Sequence, residues 1–305
     1  MVVAIVLTAV LLWRSRDSLG PGPSGASPLA RLSISELLAG HSANWRVARL
    51  KEAPEVVVIE FPSLSEQGAA MNRMAALLEK AGAPRDRVLN DAELADLIRR
   101  AGDSSQNFYQ GHDYSSEGLV RFYALVQSQG IKLNPQELRV RRDLVDANLL
   151  QEKVGDKGVR KLSAIGAQAI ITFTATQSDD PATANADIVD DVRRESILRH
   201  EASHGRFYTD SVYRDHCRRF WREVLTEPQR EHIRVYLASL GYERADEELM
   251  LNEAQAFLMH TPDGRAFNAV GVGMTEPELV TLRMRFWALL PNRGTPAASA
   301  ILARP

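Results

Sequence analysis

The chain has 305 residues, enough for one large domain or two smaller ones, and its 45% hydrophobic and 25% charged residues suit an ordinary globular core. A net charge of −2 and a pI near 6.4 give no electrostatic basis for a nucleic-acid partner. The single cysteine, Cys217, excludes an intramolecular disulfide and a cysteine-rich zinc site, so any metal must be held by histidines and carboxylates.

Met1 to Trp13 carry no charged side chain. As a helix they reach only about 20 Å, short of the roughly 30 Å hydrocarbon core, which fits the apolar region of a signal peptide or the end of a membrane anchor. Arg14 and Arg16 follow the run instead of preceding it. The alternative is a short N-terminal core helix. The stretch from Ser18 to Pro28 is rich in Gly, Pro and Ser and is expected to begin a flexible linker extending to residue 32. The expected placement is extracytoplasmic (periplasmic), with the N-terminus as membrane partner.

Beyond the linker, Ser33 and Glu36 form a capping box that opens a short helix. Strands are expected over Trp45–Leu50 and Glu55–Phe61, the second built on the β-branched run Val56 to Ile59. Helices are expected over 66–81 (ended by Gly82), after the cap Asn90, over 115–129 (closed by Gly130), and from Asn134-Pro135 to about Leu150. Ala169–Ala175 reads as another strand. Thr172, Thr174 and Thr176 alternate there with Ile171, Phe173 and Ala175, which predicts an edge strand with one apolar and one polar face, running past a bound metal and antiparallel to a bound peptide; the alternative is an interior strand paired on both sides. A polar loop over 177–186 leads to a helix from Asp187 to Gly205, then to helices near 211–225, 227–240 and 246–260. Thr226 and Thr275 each open a capping box with a first-turn proline. The fold class is helix-rich α+β with a small sheet, and the regions 33–150 and 151–295 are expected to form one compact unit.

The helix from Asp187 carries His200-Glu201-Ala202-Ser203-His204. Histidines four apart share one helix face and can grip a tetrahedral zinc ion. Glu201 points about 100° away, where a carboxylate can take a proton from an activated water. The bland alternative is two surface histidines on an amphipathic helix.

The pattern resembles that of the zincin metallopeptidases. Downstream, Asn252-Glu253-Ala254-Gln255-Ala256-Phe257 resembles the second metal helix of gluzincins, 49 positions after His204 (253 − 204). The resemblance covers residues 187–260 and implies a zincin-like fold, Zn2+ as cofactor, His200, His204 and Glu253 as metal ligands, Glu201 as catalytic base, and a peptide or protein substrate. Glu253 is also a lone carboxylate between Leu249, Met250, Ala256 and Phe257, where burial demands a partner. A metal is one such partner and a buried arginine another. Where many gluzincins place an acid four residues after the ligand glutamate, this chain has Phe257. The orienting acceptor for a zinc histidine must then come from elsewhere, Asp210 or a backbone carbonyl being candidates. The same stretches look like an uncharacterised bacterial secreted family.

His216, His232, His260, Tyr208, Tyr213 and Tyr236 are candidate donors to an oxyanion, and each also reads as a packing residue; His260 is a reserve third ligand. Gly111-His112-Asp113-Tyr114 reads as a turn or helix cap that could line the cleft. Ser203 has no visible base, and Cys217 reads as a packing thiol. The expectation is a membrane-tethered zinc peptidase. The rivals are a catalytically idle zincin-fold binding protein of the cell envelope and a hydrolase of peptidoglycan peptides or amides.

Overall fold

A computed structural model of the protein describes residues 29–40, 42–155, 160–178 and 188–291. The apolar N-terminal run, most of the linker and Asp187 lie outside the described residues. The linker ends earlier than residue 32. Arg31–Leu32 form a short strand, β1, that pairs in parallel with β2 (Arg46–Leu50), and Leu29 packs against the core.

The sheet grows from the hairpin of β2 and β3 (Val56–Phe61), joined through the Pro54 turn. The α1 helix (Ile34–Ala39) lies between β1 and β2, and α2 (Leu64–Leu78), α3 (Asp91–Ala101), β4 (His112–Ser115), α4 (Ser116–Gln129) and α5 (Pro135–Asp146) follow β3. The capping boxes at Ser33, Asn90 and Asn134 are all formed, and Gly130 closes α4 with φ +65°. The α5 helix stops at Asp146, short of Leu150. Leu150 instead opens β5 (Leu150–Val154), which pairs with β6 (Arg160–Ala164) in a hairpin that the charged sequence does not announce.

Next comes β7 (Ala169–Thr174), and here the sequence expectation fails. The strand is interior, parallel to β3 on one side and antiparallel to β4 on the other, in the sheet order β1-β2-β3-β7-β4. Its threonine face is covered too: Thr172 and Thr174 are fully buried, and the Thr172 hydroxyl donates to Gln67 Oε1 of α2 at 3.3 Å. A period-two pattern of threonines signals a polar face but does not distinguish water from a helix bearing its own polar group. The edge strand on this side is β4.

Alternation along the strands divides the core in two. Val57, Ile59, Phe61 and Ile170 pack toward α2, α4 and α5, while Val56, Val58, Ile171 and Phe173 pack toward α1 and α6 (Asp191–Thr209). A third apolar cluster lies among α7 (Ser211–Arg219), α8 (Glu227–Ser239), α9 (Glu247–His260) and α10 (Glu276–Leu289). One sheet thus draws strands from both halves of the chain, in an α+β fold. Among the described residues, no helix is long and apolar enough to cross a membrane.

Two features seat α6. Arg194, 1% exposed, pairs with buried Glu60 of β3 at 2.6 Å and donates to the carbonyls of Leu37, Leu38 and Gly40. Gly205 does not terminate the helix, which runs on to Thr209. It lies against the sheet, where a Cβ would stand 2.9 Å from Val56 Cγ1 and 3.3 Å from Ile171 Cγ2. The glycine marks a close helix–sheet approach.

Candidate metal centre

The motif faces inward at mid-helix. His200, Glu201 and His204 are 8, 6 and 0% exposed. The α9 helix crosses α6 and directs Glu253, 2% exposed, at both histidines. His200 Nε2 and His204 Nε2 lie 3.0 Å apart; Glu253 Oε2 is 3.5 Å from the first and Oε1 is 3.6 Å from the second. Donors around a tetrahedral zinc, at bonds of 2.0–2.2 Å, stand roughly 3.3–3.6 Å from one another. Both Glu253 separations fit that figure, and the two imidazoles stand about 0.3 Å closer than its lower end. Glu253 has no arginine partner among the described residues, and its Oε2 has no hydrogen bond. The buried arginines Arg194 and Arg73 pair instead with Glu60 and Glu137.

The second ring nitrogen of His200 fixes its tautomer. Its Nδ1 lies 2.8 Å from Thr261 Oγ1, whose own proton goes to the Ala256 carbonyl at 3.1 Å. The hydroxyl therefore accepts from Nδ1–H, and the Nε2 lone pair is free to face Glu253. Thr261 supplies the acceptor that Phe257 does not. Asp210 is engaged elsewhere, capping α7 and pairing with Arg206. Burial holds His200 down to about 4, so it is neutral at pH 7. Burial pushes Glu253 up to about 7 against the pull of His204. Glu201 is pushed well above the carboxylate range by burial and by Asp113, Glu253 and Glu79. Each carboxyl resists charge for want of a cation, and a divalent ion reverses that preference.

Glu201 sits at the floor of a cleft of about 320 Å3, with Tyr109, Gly111, His200 and Phe257 in its walls. Gly111 just precedes β4, and a Cβ there would lie 2.1 Å from Glu201 Oε1. The glycine is the socket for the Glu201 carboxylate. Gly111 to Tyr114 therefore forms a wall of the site and the start of an edge strand, where a turn or cap is expected from sequence. Asp113, 5% exposed, has Oδ2 3.6 Å from His204 Nε2.

Other candidates fall away from the centre. His260 Nε2 meets the Tyr213 hydroxyl at 2.9 Å, in a network running through Gln255 to Ser203, whose hydroxyl donates to the His200 carbonyl. His216 stacks on Phe286, His232 lies beside Gly273, and Tyr236 donates to the Ala266 carbonyl. Cys217 is a buried packing thiol. Only Tyr208 lies by the cluster, beside Asp113 and within 3.4 Å of Asn252 Nδ2. Sequence reasoning missed Glu79, Tyr109, Tyr242 and Thr261 as site residues and offered Asp113 only as part of a cluster that could line the cleft. A faint signal was available for Asp113, an acid within the short β-compatible run His112 to Ser115 that precedes a helix cap.

Comparison with protein-family models, with curated proteins and with solved structures finds no match.

Proposed function

We propose that the protein is a zinc-dependent metallohydrolase acting on peptide bonds, of gluzincin type, with His200, His204 and Glu253 holding the ion and Glu201 as general base. The observation that carries the proposal is the convergence of two imidazole Nε2 atoms and one arginine-free carboxylate within 3.0–3.6 Å of one another, close to tetrahedral donor spacing. When bound, zinc supplies Lewis acidity toward a water and a substrate carbonyl. The chain's own residues do the rest. Thr261 keeps the His200 lone pair on Nε2. Gly111 leaves Glu201 room in the cleft, where its carboxylate takes a proton from the attacking water and passes it to the leaving nitrogen. The surrounding aromatic rings of Tyr109, Tyr242 and Phe257 exclude bulk water and strengthen each of these interactions.

The test is Glu201→Gln. Its amide retains shape but accepts no proton, so zinc content is expected to stay at one per chain while digestion of a peptide library stops. Equal digestion by both proteins rejects the mechanism. Zinc binding without any digestion by the unaltered protein favours an envelope binding protein instead. We further propose that the N-terminal segment tethers the domain at the extracytoplasmic face of a membrane.

A further inference from the structure

Four carboxylates are buried in one place: Glu79 at the end of α2, Asp113 on β4, Glu201 on α6 and Glu253 on α9, at 8, 5, 6 and 2% exposure. Among the described residues, no lysine or arginine forms an ion pair with any of them. The neighbouring Lys80 is committed to Asp103 at 2.9 Å. Fully ionised, the cluster carries four negative charges, of which one divalent ion balances two. Buried charge without a counterion is costly, so the cluster must take up either protons or a further cation.

A place for it exists. Ligand atoms of Asp113, Glu201 and His204 lie within 4.8 Å of one another, a set distinct from His200, His204 and Glu253. Glu201 Oε2 is buried with no donor to satisfy it, and the Glu201 carboxylate faces that of Asp113. The two sets share His204, whose Nε2 is 3.6 Å from both Asp113 Oδ2 and Glu253 Oε1. One nitrogen lone pair serves one ion, so with zinc in the first position a second ion rests on Asp113 and Glu201, completed by water. An all-oxygen shell selects a hard cation over zinc.

We propose that Asp113 and Glu201 form a second divalent-cation position beside the first, suited to a hard ion such as Mn2+. The proposal rests on the zinc assignment of the first position. It has a functional consequence: an ion held by Glu201 occupies the oxygen that would act as base, so the filled second position silences hydrolysis.

The test titrates Mn2+ into the zinc-loaded full chain and follows free Mn2+ by its paramagnetic resonance signal, with zinc assayed in parallel. One Mn2+ per chain is expected to bind with zinc retained. Asp113→Asn is expected to weaken Mn2+ binding at least tenfold at unchanged zinc content. Glu201→Gln is expected to do the same, which guards against a folding defect in the first variant. The proposal is overturned if Mn2+ does not bind the zinc-loaded chain, if it binds only by releasing zinc, or if both variants bind it like the unaltered protein. Failure to load zinc at all overturns the first assignment together with this one, whereas one zinc and no Mn2+ overturns this one alone.

Discussion

Gly111→Ala displaces the proposed general base, Glu201, without altering any ligand of the proposed zinc position. Gly111 is not among the positive-φ glycines, so alanine meets no backbone penalty. The three atoms nearest the new methyl all belong to Glu201: its Cβ would stand 2.1, 2.7 and 2.9 Å from Oε1, Cδ and Cγ. Real Cβ contacts essentially never fall below 3.0 Å, so the carboxylate must withdraw by about 1 Å. A misplacement of that size costs about 100-fold in rate, or roughly 2.7 kcal/mol of transition-state stabilisation. Because Glu201 is not a ligand of the proposed first metal position, zinc content should hold, while crowding of the buried carboxylate lowers the thermal midpoint modestly. The assay is kcat/KM on a cleaved library peptide with zinc measured on the same sample. Full activity in Gly111→Ala refutes the role of Glu201 as a positioned base. Lost zinc refutes its separation from the ligand set.

Further outcomes are expected. Alanine at His200 or His204 should strip the metal, read as zinc content after dialysis, and retention of one zinc per chain in either variant would count against the ligand set. Thr261→Val removes the acceptor for His200 Nδ1 and should weaken zinc affinity about 10- to 100-fold, read by chelator competition; unchanged affinity removes Thr261 from the account. Zinc affinity should fall below neutrality. Burial raises Glu253 to about 7, so below that pH a proton occupies the ligand oxygen and affinity drops about tenfold per pH unit for that proton, levelling off above it. His200, held down to about 4, does not compete between pH 5.5 and 7, and a flat affinity across that range contradicts the assignment. Gly205→Ala gains about 1 kcal/mol of helix propensity but meets Val56, at roughly 1–3 kcal/mol of overpacking, so the melting temperature should fall; a rise shows that the sheet yields there. The full chain should sediment with membranes and a chain beginning at Leu29 should not.

What was legible in the sequence was local. Capping boxes at Ser33, Asn90 and Asn134 form because each is closed within four residues and needs nothing from the rest of the fold. Glu253 stood out because a lone carboxylate on an apolar helix stripe demands an explanation whatever surrounds it. The partners of the motif were not legible. Asp113 and Gly111 face α6 only because β4 adds to the edge of β7, a pairing across more than fifty residues that His112 to Ser115 do not encode by themselves. Thr261 acts on His200 from the last residue of a helix cap, eight positions past Glu253, where the familiar spacing of four points to Phe257. The burial of β7 on both edges was hidden for the same reason: strand neighbours are a property of topology, and the threonines reported only polarity.

The parallel pairing of β3 with β7 also governs how the centre comes into being. Val56 pairs with Ala169 across 113 positions (169 − 56), and β4 is held in the sheet by β7. Gly111 and Asp113 are expected to reach α6 only once these non-local strand pairings have formed. Folding should therefore be slow for a helix-rich chain, limited by a non-local strand pairing and not by helix formation. Neither half of the chain, expressed alone, possesses the whole constellation. Chain severed between β5 and β6 should regain the centre only when the two pieces are refolded together, and metal capture then becomes a late reporter of correct topology.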